Sequence, residues 1–331
     1  MRSSVAACIA LILLGPIPAR AYMKFGVQVG NRQVELKWAQ SPVRYFVSDR
    51  GAPGVSANDL QGAVSRAFTK WQDVATASVT YQFAGFTAAL PLDEDGLSTI
   101  GFAPRPDLDR VLAATNFLFD TTTGELLESD IFFNTAFSWS VAPSGEAGRY
   151  DLESIALHEE GHFSGLGHSA LGETEVFADS GRRVIGAEAV MFPIAFSAGS
   201  IVGRTLRADD IAGISDLYPE SGFNTSMGSV SGIVTKNGRG VFGAHIAAFN
   251  PKTGELVGNF SLNDEGRFGI EGLAPGPYVI RVEPLDDADP ESFFESDQRV
   301  DVNFRVTFFD RLVVAPSGGS SGDIEIKVLA K

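Results

Sequence analysis

Cysteine is all but missing from this chain: among 331 residues, Cys8 stands alone. One cysteine builds neither a disulfide framework nor a thiolate metal site, so the fold must rest on its apolar core. The length and the 44% hydrophobic content are enough for two such cores. Histidine is scarce as well, four in all, so imidazole chemistry has to be concentrated at few positions. Positive charge is in deficit, with Lys+Arg 26 against Asp+Glu 41. No basic run relieves that deficit, and such a surface repels nucleic acid and anionic membranes, which excludes both as partners. The main apolar run, VAACIALILL at 5–14, is too short to span a bilayer unaided. It follows Arg2 and precedes Pro16, Pro18 and Ala19-Arg20-Ala21. A positive start, an apolar stretch and a small-x-small site form an export signal. Cleavage after Ala21 is expected, leaving a chain without cysteine that is secreted or periplasmic.

Hydrophobic periodicity divides the rest. A strand is expected at 43–47. Ser56 and Asp59 form a capping pair ahead of Leu60, Val64, Ala67, Phe68 and Trp71, which recur at helical spacing and predict a helix over 57–73. VTYQF at 79–83 alternates as a strand, 84–110 reads as irregular, and 111–119 reads as a strand followed by a turn at Thr123-Gly124. ESDIFFN at 128–134 is expected as a strand near a sheet edge. A second helix begins at Asp151 and a third covers 208–218, with Ile211, Ile214 and Leu217 on one face. Small polar residues at 221–228 read as a linker. Beyond them, short alternating segments with Gly, Asn and Pro turns predict an all-β sandwich over 229–331.

Three of the four histidines fall within HEEGHFSGLGH, 158–168. His158 and His162 are four apart and share one helix face. Gly165 lets the chain leave the helix in a conformation a β-carbon would penalise, so that a turn can return His168 to the same point. Three neutral imidazoles with a fourth position open to water make a catalytic zinc site. Glu159 is placed to accept the water proton and later deliver it to the departing amine.

These residues, H158-E-x-G-H-x-x-G-L-x-H, resemble the matrixin branch of the metzincin metalloproteases, with likeness running from Trp38 to about Pro219. AVMFP at 189–193 is similar to the family's Met-turn, which implies that Met191 forms a hydrophobic floor under the metal and is not a ligand. LRADDIAGISDLY at 206–218 resembles the C-terminal helix, where Asp209 and Asp210 would brace the active-site substructure. The resemblance implies an α/β zincin domain over 22–220, with a twisted mixed sheet and three helices. It also implies a single catalytic zinc, and a cleft in which an upper edge strand pairs with an extended protein or peptide substrate cleaved internally.

Departures from the family pattern matter. Cysteine-based latency has no cysteine to use once residues 1–21 are gone, which leaves Glu35 as the candidate for an acidic plug. A structural zinc would need more histidines than His245. Calcium is a further candidate cofactor, through Asp107, Asp109, Asp120 and Asp130, although their spacing matches no calcium loop. The long 169–190 segment falls where the family builds a specificity wall, so cleavage preference does not carry over. S229-V-S-G through G272-L-x-P-G-x-Y-x-I-x-V282 is similar to carboxypeptidase regulatory-like, transthyretin-like domains, which implies an accessory or adhesive module. Two rival readings stand beside a secreted endopeptidase: a non-catalytic binding or matrix protein with a structural zinc, and a zinc hydrolase acting on a non-peptide amide or ester.

Overall fold

A computed structural model describes residues 7–8, 24–29, 32–177, 181–294 and 298–331. Apart from Ala7 and Cys8, the expected export signal lies outside the described residues.

The N-terminal half is built on a six-stranded mixed sheet. Strand β1 (Val43–Ser48) runs parallel to β2 (Tyr81–Thr87) on one side and to β3 (Thr99–Ala103) on the other. Beyond β3 comes β5 (Leu126–Asn134), again parallel, and then β4 (Ala113–Phe119), antiparallel to β5. The backbone of Ala7–Cys8 pairs antiparallel with the outer side of β4, Cys8 opposite Phe117. Two expectations are corrected here. Segment 84–110 is not wholly irregular: β2 runs on to Thr87, and β3 lies inside it. Buried on successive residues from Thr99 to Phe102, β3 shows no alternation, and a β-carbon at its Gly101 would lie 2.8 Å from Ser48 Cβ. A small residue demanded by close strand packing thus hides the apolar pattern. Segment 126–134 is interior, between β3 and β4, and is buried at all but one position. Its acids Glu128 and Asp130 are consumed by backbone N–H groups of Gly96, Leu92 and Thr99.

Helix α1 (Ala57–Gln72) covers the sheet. Ser56 accepts from the Asp59 N–H and Asp59 from the Ser56 N–H, a reciprocal cap at the expected residues. Leu60, Ala63, Val64, Ala67, Phe68 and Trp71 are its buried face. Helix α2 (Leu152–Phe163) packs on α1 and is capped by Asp151, whose carboxylate accepts from the Ser154 N–H and is gripped by the Arg204 guanidinium. The indole N–H groups of Trp71 and Trp38 donate to the Leu157 and Phe163 carbonyls at 2.9 and 2.8 Å, which fixes α2 along its length. Helix α3 (Ala208–Leu217) closes this half. Ile214 and Leu217 are buried as expected, but Ile211 is exposed.

The four acids considered for calcium do not converge. Asp107 pairs with Arg105, Asp120 caps its own turn at Thr122 and Thr123, Asp130 is buried on backbone amides, and Asp109 is exposed. Asn134, fully buried, ties the 104–111 loop instead, donating to the Arg105, Leu108 and Val111 carbonyls.

After a helical turn at Phe223–Ser226, in which Phe223 is buried, the described residues form mainly strands. One sheet carries β8 (Gly228–Lys236) between β11 (Arg267–Leu273) and the parallel β13 (Ser320–Val328). The other carries β9 (His245–Phe249) between β10 (Leu256–Phe260) and β12 (Gly276–Glu283). Val230, Val234, Phe268 and Ile326 of the first meet Ile246, Ile280 and Val282 of the second in one core. His245, on the face of β9 opposite that core, is buried beside Phe260 and bonds Glu283 at 2.9 Å.

Candidate metal centre

Helix α2 delivers His158 and His162 to one side, and the following turn returns His168 to them. Gly165 has φ +101°, and a β-carbon there would sit 2.2 Å from the Leu36 carbonyl, so only glycine fits the exit from the helix. His162 Nε2 is 3.1 Å from both His158 Nε2 and His168 Nε2. The opposite ring nitrogens each meet a backbone carbonyl: His158 Nδ1 and Val190 O at 2.8 Å, His162 Nδ1 and Leu166 O at 2.8 Å, His168 Nδ1 and Ser292 O at 2.6 Å. A carbonyl only accepts, so each Nδ1 carries the proton and each Nε2 presents a lone pair. Three lone pairs facing one another at such separations repel unless a cation sits among them. Protonation is a poor escape. Burial, with His168 as a neighbour, pushes His158 down to about 3, and burial pushes His162 and His168 down as well. The donor set therefore fits a single metal ion. Among the described residues it is the only group of three or more such side chains close enough to share one.

Glu159 faces the same cleft, which has a volume of about 720 Å³. Its Oε2 accepts from the Thr115 hydroxyl of β4 at 2.7 Å. Burial pushes its carboxyl up to about 7, against the opposing pull of that hydroxyl. A buried carboxyl near neutrality can exchange a proton with a water. Glu160 does not line the cleft; it is buried with both oxygens unpartnered among the described residues, and burial pushes its pKa well up. Thr115 was not visible in the sequence, since it sits as one small residue in an ordinary strand pattern.

Met191 is fully buried against helix α2. A β-carbon on Gly161 would lie 2.3 Å from Met191 Sδ, so glycine at that helix position is what admits the methionine. Asp210 accepts from the Val190, Met191 and Arg207 N–H groups. Asp209 accepts from Ser169 Oγ at 2.6 Å and, from the C-terminal half, from the Gly258 N–H at 2.7 Å. Burial, then the neighbouring Asp210, pushes Asp209 up to about 8. Glu35 is occupied by Lys24 at 3.0 Å, and Lys24 also pairs with Asp216. The acid weighed as a plug is therefore tied into the N-terminal hairpin of 26–29 and 32–35 and helix α3.

Residues 37–178 match the family described as Matrixin. The N-terminal part of the chain is thus similar to a matrixin-type metzincin domain. Among curated proteins it is 30% identical over 148 residues to "Matrix metalloproteinase-23" of Homo sapiens, covering 41% of this chain and 36% of that one. It is 28% identical over 168 residues to "Metalloendoproteinase 2-MMP" of Arabidopsis thaliana, 48% and 37% of the two chains. "Metalloendoproteinase 4-MMP" of the same plant is 26% identical over 190 residues, 57% and 47%. The chain thus spans less than half of the length of each of these relatives.

The matrixin match ends at 178, inside an antiparallel hairpin of β6 (Gly172–Phe177) and β7 (Gly181–Ala187). This hairpin is the long 169–190 segment, and it separates His168 from Met191 in sequence while both stay at the site. It does not stand free: Thr174 and Arg182 bond Asp287 and the Asp286 carbonyl of the C-terminal half.

Proposed function

We propose that this chain is an exported zinc-dependent metalloendopeptidase, with one zinc held by His158, His162 and His168 and with Glu159 as general base. The observation that carries the reading is the three opposed Nε2 lone pairs beside the buried Glu159 carboxylate, at the floor of an open cleft. When bound, zinc supplies Lewis acidity toward a carbonyl and makes a neighbouring water easier to deprotonate. Glu159 takes that proton and hands it to the departing amine, while Thr115 holds its Oε2 in place. Val190, Leu166 and Ser292 carbonyls keep the three imidazoles in the tautomer that leaves Nε2 free. Met191 fills the floor, and Asp210 holds its backbone. Strand β4 supports substrate of the extended polypeptide class, since it lies outermost among the sheet's long strands and carries Thr115 into the cleft.

Incubation of the purified chain with denatured casein, followed by mass mapping of the fragments, tests this reading. Internal cleavage that stops with a chelator and returns with zinc is expected. Zinc uptake with no cleavage of any polypeptide would favour the non-catalytic zinc protein instead. Export rests on residues 1–21, and N-terminal sequencing of secreted material should begin at Tyr22; a chain beginning at Met1 inside the cell would contradict it.

A further inference from the structure

The third histidine is oriented from the other half of the molecule. His158 and His162 donate to carbonyls of the N-terminal half, but His168 Nδ1 donates to Ser292 O, at 2.6 Å, on the loop that follows β12. Ser292 is the last residue of a one-turn 3-10 helix, Pro290–Ser292. The next residue, Phe293, is buried against Phe260 and stands edge-on to His168, with ring centroids 6.3 Å apart. Phe293 and Phe294 share an apolar cluster with Ala170 and Phe192, the residues that flank the trio and Met191. Two further ties hold this loop and its sheet to the site. Asp287 accepts from the Thr174 N–H at 2.7 Å and, through its carbonyl, from the Thr174 hydroxyl. Asp209 joins Ser169, the residue after His168, to the Gly258 N–H of β10. The loop also walls the cleft, with Glu291, Ser292, Phe293 and Phe294 among its lining.

We infer that the C-terminal sheets are a working part of the metal centre, with Ser292 as the positioning residue for His168 and Phe293 as a wall of the substrate cleft. Resting on the zinc reading above, this makes the C-terminal half inseparable from catalysis and not a detachable adhesive module. The physical reason is that a histidine ligand's second nitrogen fixes its tautomer and aim; outer partners of this kind affect metal affinity about 10–100-fold. No other polar group of the described residues is seen to bond His168 Nδ1.

The carbonyl cannot be deleted, but its seat can be loosened in the full chain. Asp287→Ala removes the side-chain acceptor that clasps Thr174, Asp287→Asn keeps an acceptor oxygen, and Phe293→Ala removes the packing beside Ser292. Zinc affinity is read by competition with a chromophoric chelator, and the site geometry by the visible absorption of the cobalt-substituted protein. Apo-protein melting reports whether each variant is folded. About tenfold weaker zinc binding and an altered cobalt spectrum are expected for D287A and F293A, with D287N close to wild type. Peptide-library cleavage by F293A should admit bulkier side chains at the position beside His168. Should F293A fail to fold, D287A and D287N still decide the matter. Folded D287A and F293A chains with wild-type zinc affinity and cobalt spectrum would overturn the inference. Wild-type zinc binding without peptide cleavage would defeat the peptidase reading while leaving this one to stand or fall on the affinities. A wild type that takes up no zinc would overturn both.

Discussion

Replacing Gly161 with alanine sets two effects against each other. Near the end of a helix, alanine in place of glycine should stabilise by up to about 1 kcal/mol through backbone entropy. The added carbon, however, would fall 2.3 Å from Met191 Sδ, 3.1 Å from its Cε and 3.0 Å from Trp71 Cζ2. Contacts at rest lie at about 3.5–4.0 Å, so the sulfur must retreat by more than an ångström in a fully buried site. Overpacking of this order costs about 1–3 kcal/mol, and the clash should win. Thermal melting of the chelated full chain should show a lower midpoint, by about 2–4 °C per kcal/mol lost. Met191 also follows Val190, whose carbonyl aims His158, so zinc affinity should fall with it. The double-mutant cycle isolates the cause. In a Met191→Ala background the sulfur is gone, and G161A should cost little or even stabilise, giving a coupling of about 1–3 kcal/mol. Additive effects, or a single G161A chain more stable than wild type, would refute the argument that this glycine exists to admit the methionine.

Two further outcomes follow from named contacts. Thr115→Val removes the hydroxyl that holds Glu159 Oε2; a hydrogen bond to a charged group contributes about 1.5–3 kcal/mol, so turnover should fall about tenfold or more with zinc content unchanged, whereas unaltered kcat would show that Thr115 does not orient the base. Glu153 is buried: desolvation pushes its pKa up, but Lys70 and then Arg66 outweigh it and hold the carboxylate below its ordinary 4.5. As pH falls, the unfolded chain therefore takes up this proton first, and the stability from the pairs is full above about 4.5 and lost as pH drops through the folded value. Glu153→Gln should cost about 1–3 kcal/mol at neutral pH, a gap that narrows in acid; an equal gap at pH 7 and pH 3 in urea unfolding would contradict the assignment.

What the sequence makes legible is local. The Ser56–Asp59 cap, the buried stripe of α1, the HEEGH helix and the glycine exit at 165 all lie within a few turns of backbone, where period and capping chemistry act. Strand β3 escapes because its neighbours on both sides bury it and demand a glycine, which erases alternation. The position of 126–134 escapes because strand order is a tertiary property, and a buried Glu128 reads as exposure until the Gly96 N–H that pairs it is seen. At the site, the histidine trio is visible as a motif, yet its supports are not. Thr115, Ser292 and Gly258 reach their partners across 44, 124 and 49 residues. Ser292 acts through its backbone, which leaves no mark on residue type. The C-terminal segment contributes none of the three histidines, and its approach to them emerges only from contacts across the two halves.

Glu159→Gln in the full chain, with zinc content and peptide hydrolysis measured on one preparation, separates metal binding from proton transfer by Glu159. The substitution keeps size and one acceptor oxygen for Thr115 but cannot take up a proton. About one zinc per chain is expected, as in the wild type, with hydrolysis lowered by about 10² or more. Hydrolysis at the wild-type rate by a zinc-loaded E159Q chain would contradict Glu159 as the general base.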